Sequence, residues 1–507
     1  MMHEFTSSLI IPSKKVVTSF PGSMKNSKLS PTESLRLLSL GNRKAYHFTG
    51  KGLYRAFRAF FMGVGLTGFI IGSPGVALAA NLPSGSEVLH GDVMLQQKSS
   101  DILQMIQSSQ SAIVNWESFD IGNGALVDIV QPNIDAAMLS RVVGDNLSEI
   151  HGSLNANGHF YLINPNGILF GSDAQIDVHA LIASSLDIAD SAFLSGNISF
   201  NGDSEASVMN LGSIKADEFA ALIGGNVDNS GSIIAPGGDV ALLSGDAVLE
   251  VGEAAGGKIT LDLSGLLGGT TVNSGSIDIA SASTKGGSAV VLGESVSVPG
   301  SIDASGASGG GEVFIGGDFQ GSNPSLTNAS STLVSGTILA DALVDGDGGN
   351  VILWSDGDTS FSGSISATGV GTGIGGFAEV SGKNNLHYRG VSVLDGPSGG
   401  GELLLDPTNV TISYSSSNTT LAAAGDANGD STLASSEGSG DVTVSPAAIT
   451  TLLNAGTSVT IQATSDIIVD GAIAKTDGGD AVLILTAGDD VTINQTIFGG
   501  VGKLGVS

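Results

Sequence analysis

Short runs of alternating apolar and polar residues recur along the chain after residue 190, and glycines separate them. In each repeat a glycine precedes a strand pattern such as "GSIIA", a glycine-rich turn follows, and a second strand pattern such as "DVALL" or "EVFIG" completes the unit. The first strand of these units is marked by Ile198, Ile214, Ile233, Ile277, Ile302 and Ile365. Most of the gaps approximate one, two or three units of about 21 residues, which predicts a solenoid.

The strand pattern also indicates which kind of solenoid to expect. The strands are rich in Val, Ile, Leu, Ser and Thr, and almost no segment after residue 190 has the 3.6-residue period of an amphipathic helix. The exception is "PAAITTLLNAG", residues 446–456, which predicts one helix. Leucine-rich and helical repeats are therefore disfavoured. The pattern predicts an all-β fold, a β-helix whose coils stack strand on strand.

The first part of this solenoid has a different composition. Residues 81–119 hold bulkier and more polar side chains than the later units, including Trp116 and the pattern "DILQMIQSSQSAIVNW". Because an uncovered strand edge promotes aggregation, we expect this segment to form an N-terminal cap. At the other end the chain stops at "VGKLGVS" in mid-pattern, so we expect a fragment or a truncated reading frame.

One tight turn stands between two apolar runs in "YLINPNGILFG". Asn164 occupies a position where its side chain accepts a backbone N–H, Pro165 presets φ, Asn166 takes the next corner and Gly167 closes the turn. The tetrapeptide predicts a type I turn that joins two buried strands.

A targeting signal precedes the predicted cap. An apolar run at residues 60–71 follows "KGLYRAFRAF" and is followed by "GSPG" and "VALAA", where Ala77 and Ala79 fit the small-x-small rule and cleavage falls after Ala79 or Ala80. A transmembrane anchor is the alternative, but this run is shorter than the roughly 20 apolar residues that span a bilayer. We expect an extended N-terminal region with a signal peptide at residues 1–80 and no stable membrane anchor.

Composition narrows the class of partner. The 507 residues include 75 glycines and no cysteine, and only 13% are charged. Of the 49 acidic residues, 47 lie after residue 80, and the formal net charge of the whole chain is −30. Such a surface repels nucleic acid, so we expect no nucleic-acid partner. The absence of cysteine excludes disulfides and suits an exported protein.

The order of several motifs resembles one protein family. The strings "SSQSAIVNWESFDIG", "SRVVGDNLSEIHGSLNANGHFYLINPNGILFG", "GGNVILWSDGDTSFSGSISATG" and "GELLLDPTNVTI" are similar to filamentous-haemagglutinin-like passengers of two-partner secretion. The resemblance implies a right-handed parallel β-helix with an N-terminal cap. It also implies export by the general secretory route through the periplasm, and recognition by an outer-membrane β-barrel with POTRA domains. The destination is the medium or cell surface of a Gram-negative bacterium.

The same resemblance implies a domain order and a role for some residues. We expect the capped secretion domain at residues 81–330 and further β-helix repeats at 331–507, with a helical or acidic loop insertion at 413–457. By resemblance, Asn164, Pro165, Asn166 and Gly167 hold a turn in the secretion domain. Arg141 also matches the family pattern, and it forms either a structural ion pair or a transporter contact.

An acidic loop resembles a calcium-binding loop in part. Oxygen ligands fall at positions 1, 3, 5, 7 and 12 of the string that begins "DANGDST", and a serine replaces the usual glycine at position 6. The candidate ligands are Asp426, Asn428, Asp430, the carbonyl of Thr432, and Glu437. The alternative is a solvated acidic loop, and we expect no other cofactor.

An enzymatic role is the rival hypothesis, since β-helices also carry enzymes that cleave acidic polysaccharides with cations beside clustered carboxylates. The sequence disfavours it, because the basic residues are each isolated in glycine-rich contexts and the histidines have no ligand spacing. These residues are Lys215, Lys258, Lys285, Lys383 and Arg389, and His90, His151, His159, His179 and His387. We expect a surface adhesin that contacts a host surface or another cell and is not an enzyme. The delivery stalk of a contact-dependent toxin is a third hypothesis.

Overall fold

The computed structural model describes residues 82–506 except 197, 246–248, 255–257, 263–267, 325, 408 and 414–440, together with four short strands before residue 49. The chain forms two compact units, Met1–Ala77 and Leu78–Ser507. The first unit contains β1 (Ser8–Ile11), β2 (Val17–Ser19), β3 (Leu35–Ser39) and β4 (Ala45–Phe48). These strands form one sheet in the order β2, β1, β3, β4.

The second unit begins with a cap of four strands, β5 (Glu87–His90), β6 (Val93–Gln97), β7 (Ile102–Gln107) and β8 (Ser111–Trp116). Here β5 pairs with β8 and β6 pairs with β7, both antiparallel. The bulky residues recognised in the sequence fill the space under this cap, where the ring of Trp116 meets Phe119 edge to face with centroids 5.5 Å apart. The predicted N-terminal cap is confirmed.

The first coils and the element beside them follow the cap. In chain order their elements are β9 (Leu126–Val130), β10 (Ala137–Val142), β11 (Ser148–Ile150), β12 (Ser153–Ile163), β13 (Ile168–Phe170), β14 (Gln175–Ser184), β15 (Asp187–Ile188), α1 (Asp190–Ser195), β16 (Ile198–Asn201), β17 (Ser207–Asn210) and β18 (Ser213–Gly224).

The later coils have shorter strands. They are β19 (Asn226–Asn229), β20 (Ser232–Ile234), β21 (Asp239–Ser244), β22 (Leu249–Ala254), β23 (Lys258–Asp262), β24 (Thr270–Asn273), β25 (Ser276–Asp278), β26 (Ser288–Leu292), β27 (Ser295–Val298), β28 (Ser301–Asp303), β29 (Glu312–Ile315), β30 (Ser331–Val334), β31 (Thr337–Leu339), β32 (Asn350–Leu353), β33 (Asp358–Phe361), β34 (Ser364–Ser366), β35 (Phe377–Ser381), β36 (Asn385–Tyr388), β37 (Val391–Val393), β38 (Glu402–Asp406), β39 (Asn409–Ile412), β40 (Asp441–Val444), α2 (Pro446–Asn454), β41 (Ser458–Ala463), β42 (Ile467–Val469), β43 (Ile473–Lys475), β44 (Ala481–Ala487), β45 (Val491–Ile493), β46 (Ile497–Gly499) and β47 (Leu504–Val506).

Apart from β15, β16, β22 and β23, which form a separate antiparallel sheet, most of these strands stack in parallel on three faces. The first face contains β20, β25, β28, β31, β34 and β37, the second contains β21, β26, β29, β32, β35, β38, β41 and β44, and the third contains β13, β17, β19, β24, β27, β30, β33 and β36. The long strands β12, β14 and β18 run along both the first and the second face, and their pairing shifts register at the corner between the two. The predicted parallel β-helix is confirmed.

A column of isoleucines fills the interior of the first face. Ile214, Ile233, Ile277, Ile302 and Ile365 all belong to it, as the repeat pattern predicted, and Ile176 and Ile338 extend it. Ile198 was assigned wrongly, because β16 pairs antiparallel with β22 outside the coils. The regular 21-residue unit is also wrong. Loops of different length leave the corners, so partners in neighbouring coils lie 19 residues apart at Asn210 and Asn229 but 44 apart at Asn229 and Asn273.

The glycine before each first-face strand has a steric reason. A Cβ at Gly275 would collide with the carbonyl oxygen of Gly231, and the same holds for Gly300 against Gly275 and Gly336 against Gly300. Stacked coils approach so closely at this corner that each glycine stands directly over the backbone of the one before it. The recurring "GSI" pattern therefore marks one corner of the β-helix.

A second hydrophobic core lies outside the first coils. Residues 185–201, here called the lateral element, contain β15, α1 and β16 and cover outward-facing apolar side chains of the second face. Tyr161 is 2% exposed and meets Phe193 of α1 edge to face, with ring centroids 5.3 Å apart. Sequence analysis missed α1, because six residues are too short to display a helical period.

The helix predicted near the C-terminal end is present. Helix α2 begins after Ser445, whose side chain accepts a hydrogen bond from Ala447 N at 3.2 Å, and Pro446 occupies its first turn. Residues 414–440 of the predicted insertion lie outside the described residues. Within the part of the chain that the structure describes, neither helix has the length and apolar content required to cross a membrane.

Candidate functional site

The tetrapeptide at residues 164–167 forms the predicted turn between β12 and β13. Gly167 N donates to Asn164 O at 2.9 Å, which closes the turn, and Asn166 N donates to Asn164 Oδ1 at 2.9 Å. Gly167 has φ of 104°, a conformation that favours glycine. The side-chain acceptor role predicted for Asn164 is confirmed.

Two residues of the turn are buried and hold it against the preceding coil. Asn164 is fully buried, and its Nδ2 donates to Asn146 O and to Ser148 Oγ, both at 2.9 Å. Gly167 is also buried, and its carbonyl accepts a hydrogen bond from Ser148 N at 3.1 Å. Removing the Asn164 amide would leave buried polar groups without partners, so this residue is structural.

The other two residues of the turn face solvent. Pro165 and Asn166 are exposed. Asn166 Nδ2 donates to Gly144 O at 2.8 Å, and Pro165 O accepts from Ser204 Oγ at 2.7 Å. These contacts hold the exposed pair in one orientation on the surface. The tetrapeptide thus divides into a buried half that fixes the corner and an exposed half that is available to a partner.

Arg141 anchors the lateral element to the coils. Its Nε donates to Asp187 at 2.8 Å, its Nη1 lies 2.8 Å from Asp190, and its Nη2 donates to Ile188 O at 2.6 Å. Burial opposes the charged form, but the hydrogen bonds with Asp187 and Asp190 outweigh it and raise the pKa of the Arg141 guanidinium. Of the two roles predicted for Arg141, the structure shows the structural ion pair. The side chain is only 13% exposed, so it offers little surface to a partner.

Several charged residues that sequence analysis treated as isolated meet across coils. Strand register places Lys215 beside Asp177, with Nζ 3.1 Å from the carboxylate, and Lys285 lies 3.4 Å from Glu312. The prediction that these lysines are isolated is wrong, because partners one coil away are distant in sequence. Lys285 and Glu312 border a cavity of about 350 Å³ on the side of the coils.

The same corner contains a cluster of metal-ligating residues that sequence analysis missed. One donor atom each from His159, His179 and Glu218 lies within 4.8 Å of the others. The prediction that these histidines lack ligand spacing is wrong, since the relevant spacing is one coil. The sequence feature that could have predicted this cluster is the occurrence of two histidines on consecutive repeats.

Two groups of predicted residues cannot be compared with the structure. The cleavage-site residues Ala77, Ala79 and Ala80 and the candidate calcium ligands Asp426, Asn428, Asp430, Thr432 and Glu437 lie outside the described residues.

The part of the chain that holds the cap, the turn and the lateral element matches one known family. A family model of the TPS secretion domain matches residues 79–334, which begin just before the cap and include the turn and the lateral element. The chain belongs to the TPS secretion domain family. This confirms the resemblance to passengers of two-partner secretion.

Relatives of this TPS secretion domain protein come from Haemophilus influenzae. One "Heme/hemopexin-binding protein" is 35% identical over 182 residues, which are 33% of this chain and 20% of the relative. A second protein of that name is 38% identical over 112 residues, which are 22% of this chain and 12% of the relative. The matches therefore span a fifth or less of the length of these relatives.

A solved structure supports the fold of the TPS secretion domain protein. The crystal structure of the HMW1 secretion domain from Haemophilus influenzae is 23% identical, with a TM-score of 0.50. The match covers 84% of this chain and 100% of the solved chain. At this identity the likeness concerns the fold.

Proposed function

We propose that this chain is a secreted exoprotein of two-partner secretion, recognised through its N-terminal coils by a dedicated outer-membrane β-barrel with POTRA domains. The observation that carries the proposal is the family match over residues 79–334, which covers the cap and the coils as far as β30. On the surface of those coils, Pro165 and Asn166 are exposed and held in place by a buried turn. A fixed polar corner of this kind suits recognition by a partner.

The proposed route begins with the signal peptide at residues 1–80, continues through the periplasm and ends in the medium or on the cell surface. The absence of cysteine supports it, because no disulfide hinders passage of an unfolded chain. Stacking of coils after exit supplies a direction for transport, since each folded coil templates the next.

Once outside, the rod serves as an adhesin of the filamentous haemagglutinin type. Its later coils present short polar side chains, and the strong negative charge of the chain supports solubility. Its target is a host surface or another cell. The names of the Haemophilus relatives suggest haem or hemopexin as a further ligand class, to be sought with the adhesive target.

A non-catalytic role is part of this proposal. The cavity at the corner is the feature that favours the enzyme alternative, since it contains a cation and carboxylates. Asp217, Glu218, Asp239 and Glu312 outnumber Lys285 there, and Lys285 is already paired. Such a lining repels an acidic sugar. Incubation with polygalacturonate and related acidic polysaccharides should release no unsaturated or reducing ends.

The test of the main proposal is secretion of the full chain from a Gram-negative host with and without its cognate outer-membrane barrel. We expect the chain in the medium only when the barrel is present, and in the periplasm or degraded without it. Equal amounts in the medium of both strains, or retention in both, would refute transporter-dependent export. A barrel from an unrelated two-partner system serves as the matched control for specificity.

A further inference from the structure

The corner between the first and second faces carries a cluster of donor atoms that neither the family nor the proposed function assigns. Strands β12 and β14 shift register between Ala156 and His159, and β14 and β18 shift between Val178 and Ala180. A bulge redirects the side chains that lie within it. His159, His179 and Glu218 lie at these shifts on three successive coils, so the three side chains come together at one corner.

The distances within the cluster fit one small cation. His159 Nε2 lies 2.9 Å from Glu218 Oε2, and His179 Nε2 lies 3.4 Å from the same oxygen. The two imidazole rings are stacked with centroids 5.8 Å apart. Ligands around a tetrahedral zinc ion at bond lengths near 2.0–2.1 Å stand about 3.3 Å from one another. Both histidine–glutamate distances are close to this spacing, and all three donor atoms lie within 4.8 Å of one another, so small movements would place them around a common ion.

The residue types indicate which ion. Two imidazoles and a carboxylate suit borderline cations such as Zn²⁺, whereas Mg²⁺ and Ca²⁺ prefer sites made of oxygen ligands. His179 Nδ1 also lies 3.9 Å from Asp217 Oδ2, which places a carboxylate on the far side of that ring. At this distance the carboxylate is not hydrogen-bonded to the ring, but it adds a negative charge beside the cluster.

The surroundings favour a cation as well. His159 is 5% exposed, and Glu218 faces the cavity whose lining also includes Asp217, Asp239 and Glu312. The edge of His159 is covered by Phe219, with ring centroids 5.5 Å apart. A cavity lined by four carboxylates and one lysine raises the local concentration of cations. The cavity leaves room for water or another ligand at a fourth position.

We propose that His159, His179 and Glu218 bind one divalent transition metal ion, with zinc as the best match. The ion bridges β12, β14 and β18, which are three consecutive coils of the secretion domain. Because the donors meet only after these coils have stacked, the ion binds the folded chain and not the extended one, and it stabilises the folded state.

The test is calorimetric titration of ZnCl₂ into the purified, metal-free full chain, with His179→Ala and Glu218→Gln as variants. His90→Ala is the matched control, because His90 is an exposed histidine of the cap. We expect one saturable site in the parent chain and in His90→Ala. In His179→Ala the affinity should fall at least about 100-fold, since even outer partners of metal ligands change affinity by 10–100-fold. Circular dichroism verifies that each variant is folded.

A second readout separates this site from adventitious binding. Co²⁺ bound to two imidazoles and a carboxylate in a four-coordinate site gives strong visible d–d absorption, which should be lost in His179→Ala and Glu218→Gln. Zinc should also raise the unfolding temperature of the parent chain and of His90→Ala, but not of His179→Ala. Equal zinc affinity in the parent chain and in folded His179→Ala would overturn the proposal, as would the absence of a saturable site. Mg²⁺ should compete in neither assay.

Discussion

The second face is covered in opposite ways at two places along the coils. Near the start, the lateral element places apolar side chains over the outward column that contains Tyr161, and Arg141 fixes it with an ion pair. Farther along the same column, residues 316–330, here called the late loop, cover Glu379. The backbone N–H of Gln320, a non-glycine residue with φ of 52°, donates to Glu379 Oε2 at 3.0 Å. The second face of the β-helix is thus covered once by a hydrophobic core and once by a polar contact.

The difference shows that the side chains in one column change from aromatic and aliphatic to acidic while the strand pairing between coils stays the same. Strand register links Tyr161 to Ile182 in the next coil, and later steps of this column link Phe314 to Ile352 and Ile352 to Glu379. A buried aromatic side chain stabilises the fold at any pH, whereas a buried carboxyl destabilises it once ionised. The outward column should therefore contribute stability independent of pH beneath the lateral element and stability that depends on pH beneath the late loop.

The largest expected effect on the free energy of unfolding comes from a substitution beneath the lateral element. Tyr161→Ala removes a buried aromatic ring from beneath the lateral element and should lower the free energy of unfolding by about 3–5 kcal/mol. Phe314→Ala is the matched control, because Phe314 occupies the same column and is only half-buried. It should lose about 1–2 kcal/mol. Urea unfolding of both variants measures the difference, and equal losses would mean that burial beneath the lateral element adds no stability beyond that of a half-buried position in the same column.

The second-largest effect is a pH dependence of the free energy of unfolding, and it comes from Glu379 beneath the late loop. Burial, assisted by Asp406 and Asp318, raises the pKa of Glu379 to about 7, although the hydrogen bond from Gln320 N lowers it. Between the ordinary pKa of 4.5 and pH 7 the folded chain keeps a proton that the unfolded chain loses, so stability falls as pH rises through this window. The difference amounts to roughly 3 kcal/mol above pH 7.

Glu379→Gln isolates this contribution. We expect the variant to match the parent chain near pH 4.5 and to be more stable at pH 8 by that amount, as measured by urea unfolding at both pH values. Asp358→Asn is the control, because Asp358 is an exposed carboxylate of a late coil. A parent chain whose stability differs from the Gln variant equally at both pH values would show that Glu379 does not titrate in this window.

A smaller effect compares the third face in the two regions. On β17, β19 and β24 its interior carries a chain of amides, with Asn210 Nδ2 donating to Asn229 at 2.8 Å and Asn229 Nδ2 donating to Asn273 at 2.7 Å. In later coils the column is apolar, with Val334 paired to Phe361. Asn229→Ala removes both of these buried hydrogen bonds and should cost about 2 kcal/mol, although Asn210 Nδ2 still donates to Ser232 O and Asn273 Nδ2 to Ser301 O, each at 3.3 Å.

The control for the amide chain is Ser230→Ala, since Ser230 is the exposed neighbour of Asn229. Its substitution should change the free energy of unfolding by less than about 0.5 kcal/mol. If Asn229→Ala is equally silent, the amide chain contributes no net stability and the two regions do not differ on this face.

The smallest effect on stability is expected at the exposed half of the turn. Asn166→Ala removes the hydrogen bonds that Asn166 Nδ2 donates to Gly144 O and to Asn164 Oδ1 at the exposed side of the turn, and it should cost less than about 1 kcal/mol. We nevertheless expect export through the barrel to fall at least tenfold, measured as the ratio of chain in the medium to chain in the cells. Unchanged export of a folded Asn166→Ala would remove the exposed half of the turn from recognition.

Much of this architecture follows from local patterns in the sequence. Strand alternation predicted the isoleucine column, because one buried face imposes a period of two, and turn chemistry predicted the role of Asn164. The bulky segment at residues 81–119 predicted the cap. In each case the physical cause acts within a few residues, so a single sequence displays it.

The remaining features depend on coil register, which the sequence does not display. The partners of Arg141 lie 46 and more residues away, and His159 is 59 residues from Glu218. Loops of unequal length between coils remove any fixed spacing for such pairs. The residues around Glu379 in the sequence do not predict its burial either, because the loop that buries it precedes it by about two coils.

The central claim is that the transporter recognises the exposed half of the turn. Export efficiency should then be independent of the free energy of unfolding. The most direct measurement compares barrel-dependent export of Asn166→Ala with that of Asn229→Ala in the same host. The account predicts that the less stable Asn229→Ala is exported within about twofold of the parent chain, while the stable Asn166→Ala is retained. Export that falls in proportion to the loss of unfolding free energy in both variants would contradict it.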